Sequence, residues 1–515
     1  MNRRRFILSS AAVAFNRRFS FALGTAMQNG AAAPDQTLRD RLMRDPLRPQ
    51  FHLLPQAGFV GDPCAPRFFR GHYHVYYHGS FGGGGWHHAM SSDLIHWSHL
   101  PIALSRTSGS FDAYGTFTGS VLPSGEGASV IYTGVTKVPA EQETIRNEGL
   151  REVQCIATST DEDLGTWHKL DHPVIEGPPP GMKVTGFRDP FSWKDGDTWF
   201  IGVGSGFSQI GGAVLLYRSK DARHWEYLHP LAQGTWNGET SSNPVPSGEM
   251  WECPDFFPLG DKHVLIYSTE HTTFWESGVF DKRELRFHSE RKGCLDHGAY
   301  YAPKSMLDDK KRRILWGWVQ ETRSKEAIDA AGWSGCISLP RVLTIGPDGE
   351  LQMDVASECA SLRTNTVTIE QPRDSRELEN VLSPTVIRER AGEIRCTFKV
   401  GESSCGLDLR LGSRENGVSL LTIAYNGAND QPMLTVADRV VPLSPNRDGL
   451  SSFDIWLDGS VIEIFVDKRR AITTRSYVTA IEPGGIHVVW AGAVESLKSL
   501  VVSEVKPTSE DRLTT

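Results

Sequence analysis

The chain has 515 residues, a formal net charge of −8 and a pI near 6.1, which leaves no basic footprint for nucleic acid. Its 39% hydrophobic and 23% charged residues are ordinary globular proportions, and the length allows more than one domain. The 50 Gly and 14 Trp favour a turn-rich fold with aromatic surfaces.

At the N-terminus, Asn2-Arg3-Arg4-Arg5-Phe6-Ile7-Leu8 precedes a short run of small and apolar residues. Basic residues before such a run predict an export signal of the twin-arginine kind over 1–33, with cleavage near Ala26 or within 31–33. The alternative is a basic tail, and Asn16-Arg17-Arg18 interrupts the apolar run. Residues 34–47 read as a polar lead-in. No later stretch is long and apolar enough to span a bilayer, so no membrane partner is expected after export.

From Phe51 a unit repeats: an apolar or aromatic run, a Gly/Asp/Lys turn, then a second run. It reads as a β-hairpin and occurs over 67–77, 120–132, 191–201, 256–267 and 305–316. A second signature interleaves with it. Ser92-Asp93 precedes Trp97, Ser159 and Asp161 precede Trp167, and Ser219 and Asp221 precede Trp225. Each follows a strand-like run and marks a turn into an outer strand. Four strands per unit, repeated five times, predict a five-bladed β-propeller over 48–344. After Arg341 the pattern lapses, with a turn at Pro347-Asp348-Gly349 and a short helical stretch, and 345–366 reads as a linker. Alternation resumes over 367–506 and predicts an antiparallel β-sandwich, with 507–515 as a frayed tail.

Eight cysteines show no CxxC pair and no Cys/His cluster of zinc spacing, so no metal site is expected and any pairing stays open. Cys253 reads as a free thiol.

The chemistry concentrates at equivalent places in the repeat. Asp62 precedes the first hairpin, Asp189 opens the third, and Glu252 precedes the fourth. First strands of propeller blades line the axial channel, so these acids are expected to face one another there. Breaking a glycosidic bond needs one carboxylic acid to protonate the leaving oxygen and a carboxylate opposite it. Glu252, between Trp251 and Cys253, has the more apolar sequence surroundings and reads as the acid; Asp62 reads as nucleophile or base. Arg188 and Asp189 would hold sugar hydroxyls. Trp86, Phe117 and Trp333 offer stacking faces, and Tyr300 leads into the fifth hairpin beside the channel. Trp97 and Trp167 read as core packing.

These motifs resemble glycoside hydrolase family 32, the invertase, inulinase and levanase group. The resemblance rests on Phe187-Arg188-Asp189-Pro190, on 251–257, on 88–97 with 100–104, on Gly298 to Ala302, on Trp316-Gly317-Trp318 and on Trp333 with 338–341. Residues 461–466 with Thr474-Arg475 carry it into the last domain. It implies a propeller followed by a sandwich, and a retaining mechanism through a fructosyl-enzyme intermediate. Asp62 takes the nucleophile's place, Glu252 that of the acid/base and Asp189 that of the transition-state stabiliser. No cofactor is implied, and the partner is a small carbohydrate or fructan. The chain departs from the family at Gly61, Cys64, Ala65, His78 and Thr118, and in having Gly58-Phe59-Val60 where a tryptophan usually opens the motif. With Cys253, His78 and Thr118 are expected to touch the sugar. The expected activity is therefore release of fructosyl units from sucrose or fructan-type β-fructofuranosides. Fructosyl transfer, hydrolysis of another furanoside, and carbohydrate binding without turnover remain as alternatives.

Overall fold

The computed structural model describes residues 36–123, 127–401, 404–427, 432–443, 449–479 and 484–513. The stretch read as an export signal, 1–33, lies outside them.

All five hairpins form, and each recruits outer strands into a blade. Blade I holds β1 (Gly58–Phe69), β2 (His72–Gly79), β3 (Gly85–Ser91) and β4 (Ser98–Ser105). Blade II holds β5 (Gly115–Leu122), β6 (Ala128–Lys137), β7 (Leu150–Ser159) and β8 (His168–Lys169). Blade III holds β9 (Phe187–Asp195), β10 (Thr198–Phe207), β11 (Gly211–Ser219) and β12 (Glu226–Gln233). Blade IV holds β13 (Glu252–Leu259), β14 (Lys262–Thr269), β15 (Thr272–Asp281) and β16 (Arg286–Asp296). Blade V begins with β17 (Tyr300–Leu307) and β18 (Arg313–Val319). The short β19 (Trp333–Ser334) pairs parallel with β1, and β20 (Cys336–Ile337) pairs with β18. Blade V is completed by β21 (Arg341–Ile345) and β22 (Leu351–Val355). First strands of successive blades lie side by side, and β17 returns to β1 to close the ring.

The sequence accounts for the blades locally. Second strands are β-branched and aromatic, and Val130-Ile131-Tyr132 and Val264-Leu265-Ile266 are buried between neighbouring blades. The Ser/Asp signature works as a turn: Asp93 Oδ1 accepts from the backbone N–H of Ile95 and His96 at 3.0 and 2.8 Å. Asp221 does the same for Arg223 and His224, both at 2.8 Å. Trp97 is buried in the core, and Trp167 packs edge-on against Tyr76, as expected.

One irregularity recurs in every blade. The pairing of first and second strands slips at Val60/Pro63, Phe117/Gly119, Gly202/Gly204, Glu252/Asp255 and Tyr301/Lys304. These are β-bulges, and each bends the inner strand where it meets the channel. Asp189, Cys253 and Ala302 adopt positive φ there, at 61°, 48° and 52°.

β22 falls within the 345–366 stretch read as a linker: the turn at Pro347-Asp348-Gly349 joins the two outer strands of blade V. The tail is also different from expectation. Leu513 is fully buried, Thr508 N–H bonds to the Gln50 carbonyl at 3.1 Å, and Arg39 pairs with Asp511 at 2.6 Å. The lead-in supplies that Arg39 from a helix, Gln36–Arg44.

The C-terminal domain is a sandwich of a six-stranded and a five-stranded antiparallel sheet. Its own core includes Ile394, Phe398, Leu407, Leu409, Ile455 and Ile464. A separate apolar cluster joins the domains, with Phe257, Ile266 and Tyr300 from the propeller meeting Trp456, Phe465 and Ala471 from the sandwich. Buried charges cross the same boundary. Arg341 reaches Glu463 at 2.6 Å and Asp296 at 2.9 Å, and His52 lies between Asp458 at 2.8 Å and Glu463 at 3.0 Å.

Candidate active site

The bulges of β1, β5, β9, β13 and β17 gather the polar side chains of the channel. Asp62 sits in the β1 bulge, partly exposed. Its Oδ2 accepts from Thr118 Oγ1 at 3.0 Å and faces Cys253 Sγ at 3.8 Å. Asp189 Oδ2 accepts from the Cys253 backbone N–H at 2.9 Å and faces the same sulfur at 3.4 Å. The one thiol thus touches both aspartates. Glu252, first residue of β13, accepts from Arg188 Nη2 at 2.8 Å on Oε1 and from the Tyr301 hydroxyl at 2.6 Å on Oε2. Acids that lie 127 or 190 residues from Asp62 in the chain therefore share one small polar space.

The electrostatics follow from crowding. Burial pushes the Asp62 carboxyl up to about 7, and the charges of Asp189 and Glu252 add to that, against the hydrogen bonds from Thr118 and Cys253. Burial likewise raises Asp189, with Glu252 adding to it and Arg188 and Lys304 opposing. Burial and the facing aspartates hold the Cys253 thiol protonated, as they do Cys64. All eight cysteines are free.

The surroundings of Glu252 are not the apolar ones its neighbours in sequence predict. Trp251 turns away to stack on Tyr267 at 3.8 Å, Cys253 points to the aspartates, and Glu252 is left with a cation and a phenol. Strand alternation, broken at the bulge, is the reason.

Four further expectations are corrected. Trp86 is only 1% exposed; its ring packs among Tyr76 and Tyr132 and its indole N–H bonds to the Phe117 carbonyl at 3.2 Å. Trp333 is equally buried, with Arg323 over its ring at 4.3 Å and its N–H bonded to Asp45 at 2.8 Å. Neither ring offers a face to a sugar. Tyr300 points into the domain interface beneath Arg341, 4.1 Å from its ring centre, and the residue after it enters the channel instead. His78 is 3% exposed and reaches Thr118, at 3.1 Å from Nε2 to Oγ1, rather than the open channel. Phe117 stays partly exposed while packing on Val135, Ile145 and Leu150.

Three contributors escape a reading of the sequence. Tyr301 is one. Glu152, buried in β7, accepts from Arg188 Nη1 at 3.0 Å and from the Phe187 N–H at 2.5 Å. Burial pushes its carboxyl up to about 7 against the pull of Arg188. The arginine is thereby strung between Glu152 and Glu252. Lys304, also buried, donates to the carbonyls of Pro254 at 2.7 Å and Asp189 at 3.4 Å and so pins two bulges together. Only the strand-like run around Cys155 hints at Glu152, and nothing in one chain ties it to Arg188. Among the described residues no cluster of side chains suits a metal ion.

A model described as the glycosyl hydrolases family 32 N-terminal domain matches residues 52–354, and the corresponding C-terminal one matches 358–504. Sucrose-6-phosphate hydrolase of Escherichia coli is 32% identical over 452 residues, covering 82% of this chain and 88% of the relative. Raffinose invertase of the same organism is 34% identical over 463 residues, covering 84% and 90%. The structure of fructan 1-exohydrolase IIa from Cichorium intybus matches with a TM-score of 0.74 at 24% identity, covering 90% of this chain and 98% of the other. With both domains matched and such relatives spanning most of its length, the chain belongs to glycosyl hydrolases family 32 and is a glycosidase.

Proposed function

We propose that this glycosidase releases terminal fructosyl units from sucrose or fructan-type β-fructofuranosides by double displacement, with Asp62 as nucleophile, Glu252 as acid/base and Asp189 as transition-state stabiliser. In the first step the Asp62 carboxylate attacks the anomeric carbon. The bond to the leaving oxygen breaks, and Glu252 gives that oxygen its proton. In the second, Glu252 takes a proton from water as the water displaces the Asp62 ester and frees the sugar. Asp189 faces the same space from blade III, where its negative charge favours an oxocarbenium-like centre.

The observation that carries this reading is that Cys253 touches Asp62 and Asp189 at once while the adjacent Glu252 is held by Arg188 and Tyr301. The relatives, a sucrose-6-phosphate hydrolase and a raffinose invertase, support the substrate class. Glu252→Gln is expected to lose about a hundred- to ten-thousandfold in kcat on sucrose, and Asp62→Asn at least as much. Near-normal turnover by either variant rejects the assignment.

Export belongs to the same reading, supported by the arginines at 3–5 ahead of a short apolar run. Fractionation of expressing cells with N-terminal sequencing tests it: an exported product beginning between about 27 and 34 is expected, and an intact Met1 in the cytoplasm contradicts it.

A further inference from the structure

His78 is a buried titratable group for which the double displacement has no use, yet it is bonded to a side chain that touches the nucleophile. It lies on β2, directly across from the β1 bulge that carries Asp62: Val60 pairs with Gly79 and Pro63 with Tyr77, so Gly61 and Asp62 are the unpaired residues opposite His78. The approach is close. A Cβ on Gly61 would press on the Phe59 ring at 2.8 Å and touch His78 Cβ at 3.4 Å.

The proton count on Thr118 decides the direction of the chain of bonds. Its hydroxyl has one hydrogen and lies 3.0 Å from Asp62 Oδ2 and 3.1 Å from His78 Nε2. An ionised carboxylate only accepts, so the hydroxyl hydrogen goes to Asp62 and the hydroxyl oxygen accepts from His78 Nε2–H. That fixes the histidine as the Nε2–H tautomer. Its Nδ1 is then bare, in keeping with a buried Nδ1 that has no hydrogen-bond partner. Burial, with His87 close by, lowers His78 to about 4, so it carries this one proton as a neutral donor across the neutral range.

We propose that His78 is a positioning residue for the nucleophile: its Nε2–H holds Thr118 so that the hydroxyl proton is committed to Asp62. The inference rests on the reading of Asp62 as nucleophile. A hydrogen bond given to the charged form of an acid favours that form. Several charged or titratable groups face Asp62. Asp189 lies on β9, Glu252 and Cys253 on β13, Tyr301 on β17 and Cys64 on its own strand, while Arg188 on β9 and Lys304 on β17 act on Asp189. Asp189 and Glu252 oppose its ionisation, and Thr118 with the Cys253 thiol favours it. The Thr118 hydrogen bond opposes the repulsion from Asp189 and Glu252, so its loss should be readable in the pH profile.

The test is the acid limb of kcat/KM in purified full-length protein, which reports ionisation of the free enzyme. His78→Leu removes the donor at similar volume and is expected to move the limb upward by about one pH unit, so that activity below the limb falls about tenfold. His78→Gln restores a donor and is expected to return the limb to within about 0.3 units of wild type. Thr118→Val, a smaller change, carries the same expectation as His78→Leu if that variant does not fold. A folded His78→Leu or Thr118→Val variant with an unmoved limb overturns the relay, as does a folded His78→Gln variant that behaves like His78→Leu. Asp62→Asn is measured alongside. If it abolishes turnover while the limb stays fixed in the relay variants, the relay alone is wrong; if it keeps turnover, the nucleophile assignment is wrong.

Discussion

At the scale of single residues, burial and like charge in a confined polar channel oppose the ionisation of Asp62. Asp62 has its carboxyl pushed to about 7 by burial and by Asp189 and Glu252. As the proposed nucleophile it must be ionised to attack, so kcat/KM should fall as pH drops through about 7, tenfold for each unit below. A profile flat down to pH 5 would contradict that role. Tyr301 gives the contrasting test. Its hydroxyl donates to Glu252 at 2.6 Å, whereas Tyr300 packs under Arg341 in the domain interface. A hydrogen bond to a charged group contributes about 1.5–3 kcal/mol. Tyr301→Phe is therefore expected to lower kcat about ten- to a hundredfold while Tyr300→Phe stays within a few-fold; equal losses would mean the channel side is misassigned. That the sequence points to Tyr300 rather than its neighbour has a physical cause. Alternation assigns faces only while pairing is regular, and the slip between Tyr301 and Lys304 breaks it at this place.

At the scale of the element, the bulge is the device that builds the site. A regular inner strand sends every other side chain into the neighbouring blade, and the slip re-aims Asp62, Thr118, Asp189 and Cys253 into the channel. Asp189 holds φ at +61° to do so, a region Asp tolerates better than most residues. Gly204 on β10 makes the space. A Cβ there would come within 2.5 Å of the Trp251 carbonyl oxygen and 2.9 Å of that of Arg188, both backbone atoms that have little room to yield. Gly204→Ala should cost about 1–3 kcal/mol in urea unfolding and lower kcat/KM with it, because the strand that carries Glu252 is pushed from the one that carries Asp189. An unchanged unfolding midpoint with full activity would show the bulge to be compliant. Hairpins and their turns were legible because Gly71, Gly196 and Gly260 punctuate apolar runs and adopt the positive φ that such turns need. Bulges were not, since an extra residue in a strand leaves no mark in composition. Nor was the last hairpin of blade V, whose strands β21 and β22 have five residues each and straddle the expected domain boundary.

At the scale of the whole molecule, the sandwich is joined to the propeller by an apolar patch and by buried charge. His52 lies between Asp458 and Glu463 of the sandwich. Burial alone would lower its pKa, but the hydrogen bonds to the two acids outweigh that and lift it from 6.5 to about 9. A histidine whose folded pKa is raised contributes stability that is whole below 6.5 and fades as pH rises through about 9. The linkage amounts to about 3 kcal/mol. The urea midpoint of the wild type should therefore fall between pH 6 and pH 9.5, and His52→Gln should flatten that fall; parallel slopes in the two proteins would exclude His52 as the cause. The two-domain plan was legible from the repeat and from the return of alternation after residue 366, because both follow from strand chemistry within a short window. The packing of the tail against the lead-in helix was not, since the Arg39–Asp511 pair joins opposite ends of the chain.

In the proposed mechanism radial repetition brings Asp62 into position to form a covalent bond to the sugar while Glu252 handles the proton. Trapping tests it most directly. Glu252→Gln, incubated with a fructoside bearing an activated leaving group that needs no protonation, should accumulate an ester intermediate. Peptide mass mapping after rapid acid quench is expected to find one fructosyl unit on the peptide containing Asp62. An adduct on Asp189, or turnover without any adduct and with inverted product configuration, would contradict the account.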